Sequence, residues 1–122
     1  MANYDDVLEN AGRIHSKIAE IETHRESIFD AATKKAQSLS DYRKKIAVTI
    51  LQLKNGAIFD FEGNQIHYPL PATLIPTIAQ GICYQEAFDR YESEAAYKGL
   101  ISILDAIKAE LNGLQSINRR LE

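Results

Sequence analysis

Residues 4–54 carry a seven-residue apolar repeat with no proline and one glycine, Gly12. One row of the repeat is Val7, Ile14, Ile21, Ile28, Lys35, Tyr42 and Thr49. The other is Ala11, Ile18, Arg25, Ala32, Leu39, Ile46 and Leu53. Only Arg25, Lys35 and Thr49 interrupt the apolar character. A repeat sustained beyond about four heptads is the signature of a coiled-coil helix. Asn3 suits an N-cap, and Asp5 and Asp6 place negative charge where the helix dipole favours it. Asn55-Gly56 ends the pattern, with Gly56 as a left-handed cap residue. The first element is therefore a long helix over residues 2–54, with a weak point at 38–41 where Ser40 can cap a second start. At 1.5 Å per residue such a helix is about 75 Å long. It needs another element lying along it.

The period then changes. Ala57 to Glu62 and Gln65 to Tyr68 are short β-prone runs around Gly63-Asn64, which predicts a β-hairpin over 57–68. An isolated two-stranded hairpin is marginal in water, so this one must pack on helices or on another copy. Residues 69–76, with Pro69, Pro71 and Pro76, form a stiff connector. A second long helix is expected over 77–121. Its later part has a clean row of Tyr97, Leu100, Leu104, Ile107, Leu111, Leu114 and Leu121, with Asn118 as the polar member. Tyr84, Phe88, Tyr91 and Ala95 continue the stripe out of phase, which implies a slip near 92–97.

Two helices of similar length joined by a compact insert fold back antiparallel. The charge pattern supports this independently. Residues 34–45 carry Lys34, Lys35, Arg43, Lys44 and Lys45 against Asp41. Residues 86–96, which an antiparallel hairpin sets opposite, carry Glu86, Asp89, Glu92 and Glu94 against Arg90. Exposed pairs contribute only about 0–1 kcal/mol each, so these blocks act on register more than on stability. Ile46, Ala47, Val48, Ile50 and Leu51, like Leu100, Ile101, Ile103 and Leu104, make faces wider than one seam requires. The expectation is a mainly α single domain, an antiparallel hairpin of two long helices with a small β-hairpin insert, assembled as a homo-oligomeric helical bundle.

Composition narrows the function classes. A net charge of −3 over 122 residues marks neither a basic nucleic-acid binder nor an acidic tail. Residues 63–85 lack Asp, Glu, Lys and Arg but contain three prolines and several polar side chains, which excludes a spanning helix. Cys83 is the one cysteine, so neither an intrachain disulfide nor a cysteine zinc site can form. A reducing, cytoplasmic setting and no cofactor are expected.

Glu20 and His24 stand four apart near His15 and Glu22, but neither helix carries the Glu-x-x-His pair of a bundle di-metal centre. Cys83 and His67 have no spacing that marks a nucleophile and its base. Arg25 and Lys35 read as register-setting residues whose stems snorkel to water. The densest apolar non-helical patch is Phe59, Phe61, Ile66, Tyr68, Leu70, Leu74 and Ile75. It is a candidate partner-binding tip, or local packing that closes the bundle end. Lys34, Lys35, Arg43, Lys44, Lys45 and Lys54 form a basic face able to track phosphates, unless the acidic 86–94 block covers it.

The succession of long helix, β-hairpin and long helix resembles the prefoldin-type chaperone subunits over the whole chain at the level of pattern. The proline-rich connector at 69–76 departs from a simple hairpin return. With no catalytic constellation in sight, the expected function is non-enzymatic: an oligomeric scaffold, adaptor or inhibitor that binds another protein. The alternative is a nucleic-acid or nucleotide-binding module of the kind small phage or mobile-element proteins supply, using the basic 34–54 face.

Overall fold

The structure, a computed structural model, describes residues 4–67 and 69–121. Its elements are α1 (Tyr4–Lys54), β1 (Phe59–Phe61), β2 (Asn64–Ile66), α2 (Ile75–Ile82) and α3 (Tyr84–Leu121). The expected Asn3 cap lies outside the described residues. Helix α1 runs unbroken through Ser38–Asp41. The chain divides into two compact units, one of Thr33–Glu94 and one of Met1–Ala32 with Ala95–Glu122. In each of them α1 packs antiparallel against α3.

In the first of these units α1 ends as the glycine predicts. Gly56 adopts φ +85°. The Ala57 amide donates to the Gln52 carbonyl at 2.9 Å, and the Gly56 amide to the Leu53 carbonyl at 3.3 Å. These two bonds make a Schellman cap, which satisfies carbonyls the helix leaves over. The chain then enters the hairpin. Its turn is Glu62-Gly63, one residue earlier than the expected Gly63-Asn64: Phe61 pairs with Asn64, and Phe59 with Ile66. Glu62 and Gly63 both have positive φ, +51° and +82°. A primed turn needs this at both central positions and favours glycine at the second. Glu-Gly meets that order, whereas Gly-Asn reverses it.

The second long helix does not begin at residue 77. Helix α2 begins at Ile75, which sets Pro76 in the first turn, where its missing N–H costs nothing. Cys83 separates α2 from α3 with ψ +26°. The hydrogen-bond ladder nonetheless runs through it: its amide donates to Ala79, and its carbonyl accepts from Ala87, both at 3.0 Å. The Phe61 ring packs on Gly81, 3.5 Å from where a β-carbon would stand, an ordinary contact distance.

The core of this unit is Leu53, Ile75 and Ala79, with Ile50, Phe59, Ile66, Leu70, Ile78 and Ile82 packed around them. Thr49 and Cys83 are also fully buried. The Thr49 hydroxyl donates to the Lys45 carbonyl at 2.7 Å and lies 3.4 Å from the Cys83 sulfur. Since the one hydroxyl proton is directed at Lys45, the thiol is the donor to Thr49. Further along, the Ser38 and Ser93 hydroxyls meet at 2.6 Å, and the Arg90 guanidinium lies over the Tyr42 ring at 5.2 Å. Residues 34–45 thus lie opposite 86–96, as the charge blocks predict.

The other unit has a thin interior. Ile21, Ile107 and Asn10 are its buried residues among those described. The row of α3 is as expected, with Tyr97, Leu100, Leu104, Leu111, Leu114 and Leu121 half-buried. On α1 the first row is inward throughout, from Val7 to Thr49, and only the start of the second row differs. Val7, Asn10, Ile14, Lys17, Ile21, His24 and Ile28 turn inward, while Ala11, Ile18 and Arg25 are exposed. From Ala32 onward the second row, Ala32, Leu39, Ile46 and Leu53, takes the inward place as well. The apolar arc of α1 is wide enough to offer two edges. In the half carrying residues 4–28, α3 takes the more polar edge, where Asn10 donates to the Leu114 carbonyl at 3.0 Å and to Asn118 Oδ1 at 3.4 Å.

Leu53 is fully buried at the point where the chain turns back. Leu53→Ala is expected to lower the unfolding free energy by about 2–5 kcal/mol, measured as a reduced urea midpoint. A change under about 1 kcal/mol would show that this cluster does not hold the reversal.

Candidate functional site

Helix α3 begins with an aromatic stripe. Tyr84, Phe88 and Tyr91 follow one another at helical spacing and are 67%, 59% and 63% exposed. The sequence pattern reads these residues as an out-of-phase continuation of the apolar stripe. The structure instead turns the rings to solvent, because the neighbouring positions Cys83, Ala87, Arg90 and Glu94 face inward. On α1, Val48 and Leu51 are also exposed.

The expected partner-binding tip divides. Ile75 is buried, and Phe59, Ile66 and Leu70 pack against the core it belongs to. Phe61 is half-buried beside Gly81. Leu74 is exposed at 47% and is joined by Ile58 at 66%, a residue that sequence reasoning did not select. The alternation along β1, with Phe59 and Phe61 on one face, puts Ile58 on the other. Tyr68 lies outside the described residues.

The basic face is placed as follows. Lys34, Arg43, Lys44, Lys45 and Lys54 are exposed, and Lys35 is half-buried on the inward row. Lys44 and Lys45 line a shallow groove with Asp41, Val48 and Glu86, so acidic side chains from both helices stand among them.

In the unit with the thin interior, Glu9, Gly12, Arg13, Ser16 and Lys17 of α1 and Glu110, Gly113, Leu114 and Ile117 of α3 form a second groove. Arg13 pairs with Glu9 at 2.8 Å. Lys17 bridges Glu20 at 3.0 Å and also Glu110. The hydrogen bond to Glu110, and then the one to Glu20, raise the Lys17 ammonium above its usual 10.5. Arg25 is exposed and paired with Glu22 at 3.2 Å. His24 sits on the inward row rather than on a solvated face, and its Nε2 is a buried atom without a hydrogen-bond partner among the described residues. Cys83 is fully buried against Thr49, and His67 is exposed. Among the described residues, no three His, Cys, Asp or Glu side chains are grouped to hold a metal ion. No described helix is long and apolar enough to cross a membrane.

Compared with known protein families, with characterised proteins and with solved structures, the chain matches none. The likeness to prefoldin-type subunits therefore stands on the order of elements alone.

Two outcomes check this geometry. An unpaired buried polar atom costs roughly 1–3 kcal/mol, so His24→Leu is expected to raise Tm by about 4 °C or more; a lowered Tm would show that the imidazole is satisfied. Glu110→Gln is expected to bring the Lys17 pKa back towards 10.5, followed by NMR of its side-chain nitrogen. Because the folded pKa is raised, the stabilisation from the Lys17 pairs is complete below 10.5 and fades as pH climbs through the raised value. The glutamine variant should lose less stability across that alkaline window than the parent.

Proposed function

We propose that the protein is a non-enzymatic, oligomeric helical scaffold, adaptor or inhibitor that works through protein–protein contacts in the cytoplasm. The observation that carries this reading is the ordered exposure of large apolar side chains, above all Tyr84, Phe88 and Tyr91 on one face of α3. Scattered exposed apolar residues need no explanation, but a contiguous aromatic stripe marks a surface that another protein covers. Aromatic side chains are also the commonest anchors of interfaces. Leu74 and Ile58 extend apolar surface to the hairpin end. A lone buried cysteine suits a reducing compartment.

The basic face gives a second reading, nucleic-acid or nucleotide binding, favoured by the exposure of Lys34, Arg43, Lys44, Lys45 and Lys54. Asp41 and Glu86 beside Lys44 and Lys45 weaken it, since they oppose a phosphate backbone there.

Affinity capture from the native cell, followed by mass spectrometry, should recover a protein with the parent chain and lose it with Phe88→Glu/Tyr91→Glu, at unchanged helix content. Equal recovery with both chains would remove the aromatic stripe from the reading. Substrate turnover by the pure protein would remove the reading itself. Salt-dependent DNA or RNA binding lost in Lys44→Glu/Lys45→Glu would favour the second.

A further inference from the structure

The apolar arc of α1 is wider than the edge that α3 covers, and the remaining edge has a pattern of its own. His15, Ile18, Glu22, Arg25, Phe29 and Ala32 succeed one another at alternating steps of three and four, so they form one stripe, exposed from His15 to Phe29 and half-buried at Ala32. All six lie in the same compact unit. Ile18 is 44% exposed and Phe29 72%. Glu22 and Arg25, at the centre, form an exposed pair at 3.2 Å.

The four inner members are matched about the midpoint: large and apolar, then charged, on each side. The two charges have opposite sign. A two-fold axis through that midpoint lays the stripe antiparallel on a second copy of itself. One register then sets Glu22 against the partner's Arg25, Ile18 against the partner's Phe29, and His15 against the partner's Ala32. Parallel pairing sets Glu22 on the partner's Glu22 and Arg25 on the partner's Arg25, which repel. The charges therefore select the antiparallel arrangement.

The surface available leaves room for a second copy. The chain exposes 8802 Å². A monomer of its 13.7 kDa is expected to expose about 6,600 Å². The excess is well above the roughly 800 Å² that each partner commits to an ordinary stable interface.

We propose that this stripe is the two-fold interface of an antiparallel homodimer, its direction set by two symmetry-related Glu22–Arg25 pairs. This rests on the oligomeric part of the proposed function and deepens it.

Sedimentation of the full chain is expected to show a dimer. Arg25→Glu gathers four carboxylates at the two-fold axis and should weaken the dimer at least tenfold, about 1.4 kcal/mol, with unchanged helix content by circular dichroism. Glu22→Arg/Arg25→Glu exchanges the charges, keeps the pair within each helix, and should restore the dimer to about the parent strength. Direction is read by oxidation. An equal mixture of Ile18→Cys and Phe29→Cys proteins should form the mixed disulfide dimer. Neither protein alone should cross-link, because like positions then stand about 16 Å apart along the axis. A dimer indifferent to Arg25→Glu, or an Ile18→Cys protein that cross-links with itself, overturns this interface and leaves the oligomeric reading standing. A monomer at every concentration up to about 100 μM, well above the micromolar range of modest affinities, overturns both.

Discussion

The reversal of the chain depends on the burial of Leu53. A helix of 51 residues cannot supply its own core, and nearly all of its stability must come from what lies along it. Leu53 is fully buried, and Ile75 and Ala79 on α2 close over it. Around them the hairpin contributes Phe59 and Ile66, and the connector contributes Leu70. The β-hairpin and the proline-rich connector are thereby given the packed surface that a two-stranded sheet lacks by itself. The register of α3 on α1 in this unit follows, from Thr49 against Cys83 to Ser38 against Ser93.

The interior of the other unit answers to a different logic. Along α1 the inward row alternates Ile14, Lys17, Ile21, His24 and Ile28. Apolar layers carry the packing, and polar layers carry specificity. Asn10 reaches the Leu114 carbonyl and Asn118, and Lys17 reaches Glu110. Polar residues in helix seams fix register at some cost in stability. The more apolar edge of α1, with Ile18 and Phe29, is left facing outward.

Much of this architecture was legible in the residues. The two long helices, the hairpin between them, the Gly56 cap and the antiparallel charge blocks all follow from local rules. What escaped is instructive. The wide arc of α1 contains two rows of similar quality, Asn10-Lys17-His24 and Ala11-Ile18-Arg25, and hydrophobicity alone favours the second. Which edge meets α3 is decided by hydrogen bonds with residues about a hundred positions away, such as Leu114. The hairpin turn slipped by one residue because glycine is favoured at the second central position, which Gly63 fills with Glu62 before it. Helix α2 can start before its proline because an N–H missing from the first turn breaks no helical hydrogen bond. As for surfaces, the pattern at 84–91 continued the apolar stripe out of phase. It could not say that Ala87 and Arg90 would take the inward places.

The spacing of the contacts along the chain also bears on how the fold is reached. Thr49 and Cys83 are separated by 34 positions, Ser38 and Ser93 by 55, and Asn10 and Asn118 by 108. The entropy of closing a loop rises with the logarithm of its length, about 1 kcal/mol between the shortest and the longest of these if each closed alone. Closed in order, each contact shortens the loop that the next must close. The helices therefore zip from the hairpin outward, and Asn10 finds Leu114 last. Until that moment the apolar rows of the two chain ends are bare and open to a neighbouring chain.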